Sequence, residues 1–238
     1  MAQSWEPTAL DMYKAMQVAQ RDHIPYRCDA VLIHGAPSTD KMFNNTLLRT
    51  VAEHHKNGCV GTIVLNGLSE EECRSRNLSY FGFEPWWKIL REHDVCARII
   101  VRMPASPHTG VESRNFLELA AQKGWESLII SSFPHHQLRC FQTIVAQMHT
   151  MGRRHVYNLT FGGISLTYPM SKPVMSGKTV LGSGDINGAF EIHMEEEFKR
   201  IVAYAQEPET VDGKPKFTRH ATIPEVLEYV RWRDIQTV

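Results

Sequence analysis

Residues Ser127 to Cys140 read SLIISSFPHHQLRC. The stretch changes character halfway. Leu128, Ile129 and Ile130 form an unbroken apolar run of strand length, two serines close it, and Phe133-Pro134 turns the chain. From His136 the spacing becomes helical and continues as HQLRCFQTIVAQMHTMG to Gly152. A short run that is apolar at every position suits a strand buried on both faces, as in a parallel sheet. A buried strand that feeds straight into an amphipathic helix is half of a strand–helix–strand unit.

The same unit recurs on either side. DAVLIH (Asp29 to His34) ends at Gly35, and GTIVLNG (Gly61 to Gly67), ARIIVRMP (Ala97 to Pro104) and HVYNLTF (His155 to Phe161) are runs of the same kind. Between them NNTLLRTVAEHHKNG puts Leu47, Leu48, Val51 and Ala52 on one face, with Gly58 as its stop. EPWWKILREHD carries Pro85 in its first turn, and VESRNFLELAAQKG runs from Val111 to a Gly124 stop. The alternation predicts an α/β fold, a mainly parallel five-stranded sheet with helices on both faces. TALDMYKAMQVAQ reads as a helix ahead of the first strand, with Thr8 as its N-cap.

Residues 1–238 read as a single α/β domain with its core at about 28–160. Residues 161–189, rich in Gly, Pro and Ser, are expected to form a long loop or arm that packs over the site edge or reaches a neighbouring subunit. The charged stretch EIHMEEEFKRIVAYAQ, the linker EPETVDGKPK and a helix around IPEVLEYVRWRD make up a C-terminal helical extension over 190–238.

Composition narrows the function classes. Lys plus Arg equals Asp plus Glu at 26 each, so the net charge is zero. A general nucleic-acid or anionic-membrane binder needs an excess of positive charge. No apolar run approaches the roughly 18 residues of a membrane span, and the first residues lack the basic start and apolar core of a secretory signal. Cys28, Cys59, Cys73, Cys96 and Cys140 are scattered and odd in number, which favours reduced thiols and a cytoplasmic setting.

In an open parallel sheet, ligands bind beyond the carboxyl ends of the strands. Four polar segments belong there: His34–Asp40, Asn66–Glu72, Met103–Glu112 and Ser131–Arg139. HGAPSTDK offers backbone at Gly35 and a helix start with Ser38, Thr39 and Asp40, suited to an anion or simply to capping. It matches neither the phosphate-loop nor the dinucleotide-binding glycine pattern. In HTGVESRN, Thr109 and Glu112 have capping-box spacing, with Glu112 also a candidate acid–base group. His136 and Arg139, three residues apart, share a helical face: an imidazole that titrates near neutrality beside a fork that can clamp a carboxylate or phosphate. Trp86, Trp87 and Leu90 read as core or interface, and Glu70 to Glu72 as a solvated loop. His54-His55 and His135-His136 are adjacent pairs without the i, i+4 spacing of a helical metal pair.

These residues, in this order, resemble the YdcF/SanA/ElyC-like family. LIHG, a helix carrying Arg49, then IVLNG look like that family's opening, with Asn66 where the family has serine before Gly67. Glu84 stands where the family has a Glu ahead of a helix, and Thr109 with Glu112 resembles its Thr-x-x-Glu motif. SFPHHQLRC fits the register of its closing TSxxHxxRA: Ser132 for Thr, His136 for His, Arg139 for Arg and Cys140 for Ala. The resemblance spans about Cys28 to Leu159. It implies a Rossmann-like three-layer sandwich with Glu, His and Arg gathered at one end of the sheet. It also implies S-adenosylmethionine or another nucleotide-like molecule as a ligand to consider.

The expected function is that of an enzyme acting on a small anionic metabolite that bears phosphate, nucleotide or carboxylate. His136 and Glu112 would do the acid–base chemistry, and Gly35, Ser38, Asn66, Gly67, Glu84, Thr109, Ser132 and Arg139 would bind the ligand, with no metal. The alternatives are a non-catalytic sensor of such a ligand, in a chain able to form a homo-oligomer, and a metal-dependent hydrolase using His34, Glu112 and His136.

Overall fold

The computed structural model describes residues 27–34, 41–76, 80–132, 134–153, 156–163, 173–178, 185–206, 210–211, 214–215 and 219–236. Five apolar runs become the strands β1 (Cys28–Ile33), β2 (Val60–Leu65), β3 (Ile100–Arg102), β4 (Ser127–Ser132) and β5 (Asn158–Gly163). They pair in the order β3-β2-β1-β4-β5, and every pair is parallel. β2, β1 and β4 hold the middle of the sheet, with β3 at one edge and β5 at the other, paired to β4 from Ser127↔Asn158 to Ser132↔Gly163. The third apolar run yields less strand than its composition predicts. Ala97–Ile99 form a 3₁₀ turn, and only Ile100–Arg102 pair with β2.

Alternate strand residues face opposite ways, so each face of the sheet has its own core. Val31, Ile33, Ile63, Leu65 and Ile129 pack against Leu47, Leu48 and Val51 of helix α1 (Lys41–Lys56) and Trp86 and Leu90 of α3 (Phe83–Glu92). The short α2 (Glu70–Ser75) lies between them in sequence and adds Cys73. Ala30, Leu32, Val64, Leu128 and Ile130 meet Phe116 and Leu117 of α4 (Thr109–Lys123) and Phe141, Ile144 and Val145 of α5 (Pro134–Thr150). The result is a Rossmann-like three-layer α/β sandwich. Trp86 is fully buried and Trp87 half-exposed, so the Trp pair is core on one side only. Gly124 ends α4 in the left-handed conformation at φ 68°, as its place in the sequence predicts.

The C-terminal stretch is built into the second core. Ile201 of α6 (Phe190–Ala205) and Ile223, Val226, Tyr229 and Val230 of α7 (Ile223–Gln236) join the cluster around Phe141. Within the expected arm, residues 161–163 complete β5, and the other described residues form an antiparallel pair, β6 (Pro173–Lys178) with β7 (Asp185–Ala189), lying against α6. The expected linker contributes a two-residue pair, β8 (Thr210–Val211) with β9 (Lys214–Pro215). The expected helix before β1 lies outside the described residues. No helix among the described residues is long and apolar enough to cross a membrane.

Candidate functional site

The strand order fixes where a ligand site belongs. The chain builds β1, β2 and β3 outward in one direction, then returns to lay β4 on the other side of β1. Helices after β1 and β2 cover one face, and those after β3 and β4 the other. The crossovers therefore diverge at the carboxyl ends of β1 and β4, the topological switch point at which such sheets bind ligands. His34 follows β1 directly, and its backbone N–H donates to Ser131 O at 2.9 Å, continuing the β1–β4 ladder. Its side chain is fully buried at this point.

His34 Nδ1 lies 2.6 Å from Glu112 Oε2. With the carboxylate ionised and the ring neutral, the ring donates from Nδ1 and Nε2 keeps its lone pair. His34 Nε2 is buried and has no hydrogen-bond partner among the described residues. A carboxylate that orients an imidazole while its other nitrogen stays open is how a general base is held.

Glu112 reaches His34 because α4 is capped differently from the sequence expectation. His108, not Thr109, is the N-cap, its Nδ1 accepting from the Val111 N–H at 3.4 Å. Glu112 is thereby released from capping and turns inward, 4% exposed. Its second oxygen accepts from Asn66 Nδ2 at 3.2 Å. Asn66 also donates to Ser106 O at 2.8 Å, and its Oδ1 accepts from the Leu68 and Ser106 N–H groups. Asn66 thus ties the end of β2 to the loop before α4 and holds Glu112. Gly67 lets that loop close: a Cβ there would collide with the Met103 carbonyl.

His136, on the first turn of α5, lies beside His34 with ring centroids 6.5 Å apart and planes near perpendicular. It does not pair with Glu112. Arg139 Nη2 donates to His136 Nδ1 at 2.8 Å, and Arg139 Nε donates to Glu197 Oε2 at 2.6 Å. Glu197, from α6, also receives Arg200 Nη1 at 2.5 Å. Burial, then the Arg139 charge, pushes the His136 pKa down to about 4. Burial alone would raise the Glu197 carboxyl, but Arg139 and His136 outweigh it and hold it well below the usual carboxylate range. His220, stacked edge-on against Tyr204 and within 3.5 Å of Thr143 Oγ1, is pushed down to about 3 by burial and Arg139.

The structure therefore brings together Asn66, Glu112 and His136 from the predicted set and adds His34 to them. Thr109 starts α4 beside the cluster without capping it. Ser132 ends β4, its hydroxyl buried beside a Cys140 thiol that burial pushes well above its ordinary pKa. Arg139 joins the cluster as the internal partner of Glu197, so any anion it holds must share it. Glu84 does not join: half-exposed, it accepts from the Glu70 N–H at 3.0 Å and pairs with Arg102 at 3.1 Å. Gly35 and Ser38 lie outside the described residues. Glu197, Arg200, His220, Ser106 and His108 are the contributors that the sequence reading missed. For Glu197 a signal existed, because it lies four residues before the buried Ile201 and so on the inward stripe of α6.

Two ligand expectations can be set against this geometry. Nucleoside-binding sheets of this order commonly place a carboxylate near the end of the second strand for the ribose. Asn66 stands there with its amide already engaged, and the carboxylate beside it, Glu112, is bonded to Asn66 and His34. Among the described residues no group of three His, Cys, Asp or Glu could hold a metal ion, and His34, Glu112 and His136 do not form one. No protein-family model matches this chain, and no curated protein matches it. The YdcF/SanA/ElyC-like resemblance therefore stands on the register of its residues alone.

Proposed function

We propose that the protein is an enzyme of small-molecule metabolism that removes a proton from a small anionic substrate at the β1/β4 switch point. The observation that carries this reading is the buried Nε2 of His34, which has no partner among the described residues, opposite an Nδ1 tied to Glu112 at 2.6 Å. Leaving a buried ring nitrogen without a partner costs about 1–3 kcal/mol, which a substrate proton donor would offset. His34 takes the role of base, with Glu112 orienting it and stabilising the imidazolium it becomes. The remaining Arg139 N–H groups and the start of α5 favour an anionic group on the substrate. A ligand sensor would not need an oriented base, so the enzyme reading ranks above it. Cytoplasmic action and a reduced environment fit the five free cysteines.

The test is a thermal-shift screen of phosphorylated and carboxylated metabolites, followed by turnover assays on the hits. His34→Gln should lower turnover at least about a hundredfold while ligand binding changes by only a few fold. A hit that both proteins turn over equally would refute His34 as the base.

A further inference from the structure

Two histidines stand at the switch point, and their partners are chemically opposite. Glu112 accepts from His34, which places that ring's proton on Nδ1. Arg139 can only donate, so the 2.8 Å contact from its Nη2 makes His136 Nδ1 an acceptor and places that ring's proton on Nε2. Glu197 Oε2 also lies 3.3 Å from His136 Nδ1. It would draw the proton back to Nδ1 if Arg139 were not the nearer partner. Glu197 in turn holds Arg139 in place through the 2.6 Å bond to Nε.

We propose that Arg139, held in place by Glu197, is a positioning residue that keeps the His136 proton on Nε2, making His136 the hydrogen-bond donor that complements the His34 base. The inference rests on the function proposed above and narrows its substrate. One molecule must present a removable proton, on oxygen or carbon, next to a carbonyl or phosphoryl oxygen. In the step, the substrate X–H bond breaks, its proton goes to His34 Nε2, and its electron pair stays on the substrate. The negative charge that develops on the neighbouring oxygen is met by the His136 Nε2–H, which remains bonded to His136. An imidazole that stays neutral near pH 7 suits that role, because it donates without first losing a proton to solvent.

The groups around His136 come from every neighbouring element. Arg139 is on its own helix, Glu197 and Arg200 are on α6, His34 with its partner Glu112 stands at the end of β1, and His220 precedes α7. Among these groups, Arg139 is the one that contacts Nδ1 as a donor.

The experiment is a long-range 1H–15N correlation spectrum of the full-length, uniformly 15N-labelled protein between pH 5 and 8. The two rings are assigned by the signals lost in His34→Gln and His136→Gln. His136 should show a protonated Nε2 and a bare Nδ1 throughout. In Arg139→Met the proton should move to Nδ1, facing Glu197, and the ring should titrate at least one pH unit higher. Arg139→Lys, which keeps a donor, should restore the Nε2 proton in part. Where Arg139→Met does not fold, Arg139→Met/Glu197→Gln removes the stranded charge, and its His136 should populate both tautomers. A wild-type His136 protonated on Nδ1, or a tautomer unchanged in whichever of these variants folds, would overturn the proposal. The same spectra read His34 separately. A His34 with a bare Nε2 leaves the base assignment standing when the His136 result fails, whereas a His34 protonated on Nε2 removes the base assignment itself.

Discussion

His34 and His136 lie with ring centroids 6.5 Å apart and are both buried, yet they are held by opposite kinds of neighbour. His34 is oriented by a carboxylate that is itself hydrogen-bonded to a neutral amide, Asn66. His136 is oriented by a guanidinium locked in a network of three charges, Arg139, Glu197 and Arg200. The first half comes from β1, β2 and α4. The second needs α6, which enters the chain after the five-stranded sheet is complete. One residue type can thus supply both a lone pair and an N–H at one point, provided the sheet and the C-terminal helices contribute different partners.

The two halves should respond to damage unequally. Glu197→Ala strands Arg139 and Arg200 in the interior and should destabilise the fold by about 3–5 kcal/mol, the cost of breaking a buried ion pair from one side. Urea unfolding would measure it. Glu112→Gln strands no cation and should cost about 1–2 kcal/mol, on the scale of weakened buried hydrogen bonds. Equal losses would erase the distinction between the halves.

Acid should act mainly on the second half. The His136 pKa is held at about 4 in the fold, against an ordinary value of 6.5, and His220 at about 3. Between those values the unfolded chain binds protons that the native state refuses, so stability must fall as pH drops below 6.5 and level off only once the folded histidines titrate. At 1.36 kcal/mol per pH unit the full loss is about 3 kcal/mol for His136 and about 5 kcal/mol for His220. Unfolding midpoints at pH 7.5, 6 and 5 should therefore decline. His220→Gln should flatten the decline and His136→Gln should flatten it further. A profile that is flat from pH 7.5 to 5 would contradict the burial of both rings in uncharged form.

Much of this was legible in the residues. The alternation of apolar runs with helical spacing gave the parallel sheet and its two covered faces, because a strand buried on both sides has no polar positions to mislead the reading. The spacing of His136 and Arg139 gave a shared helical face. Strand order is not written in any local pattern, and without it His34 was merely the residue after a strand, named only as a possible metal ligand. Glu197 was masked by its company: in the run Glu195 to Glu197 a buried carboxylate reads as one more solvated charge. Its inward position depends on packing against α5, which lies some sixty residues earlier. Thr109 was misassigned as a cap because Thr and Glu at that spacing satisfy the capping rule, whereas His108 performs the capping and leaves Glu112 for His34.

The smallest effect tests how firmly α7 is attached to the sheet behind the second half. The Tyr229 hydroxyl donates to the Tyr157 carbonyl just before β5. Tyr229→Phe should cost about 1 kcal/mol through the carbonyl left unmet, read as a lower unfolding midpoint with an unchanged denaturant slope. No change would mean that apolar packing alone holds the helix.

The central claim is that a small molecule binds between the ends of β1 and β4 against His34 and His136. The most direct measurement is to titrate a metabolite hit into 15N-labelled protein and follow the histidine ring signals. His34 and His136 should shift together and saturate with the same affinity. His55, whose Nδ1 bonds Val60 O at the opposite edge of the sheet, should stay still. Shifts at His55 or other distant rings, with His34 and His136 unmoved at saturation, would contradict the account.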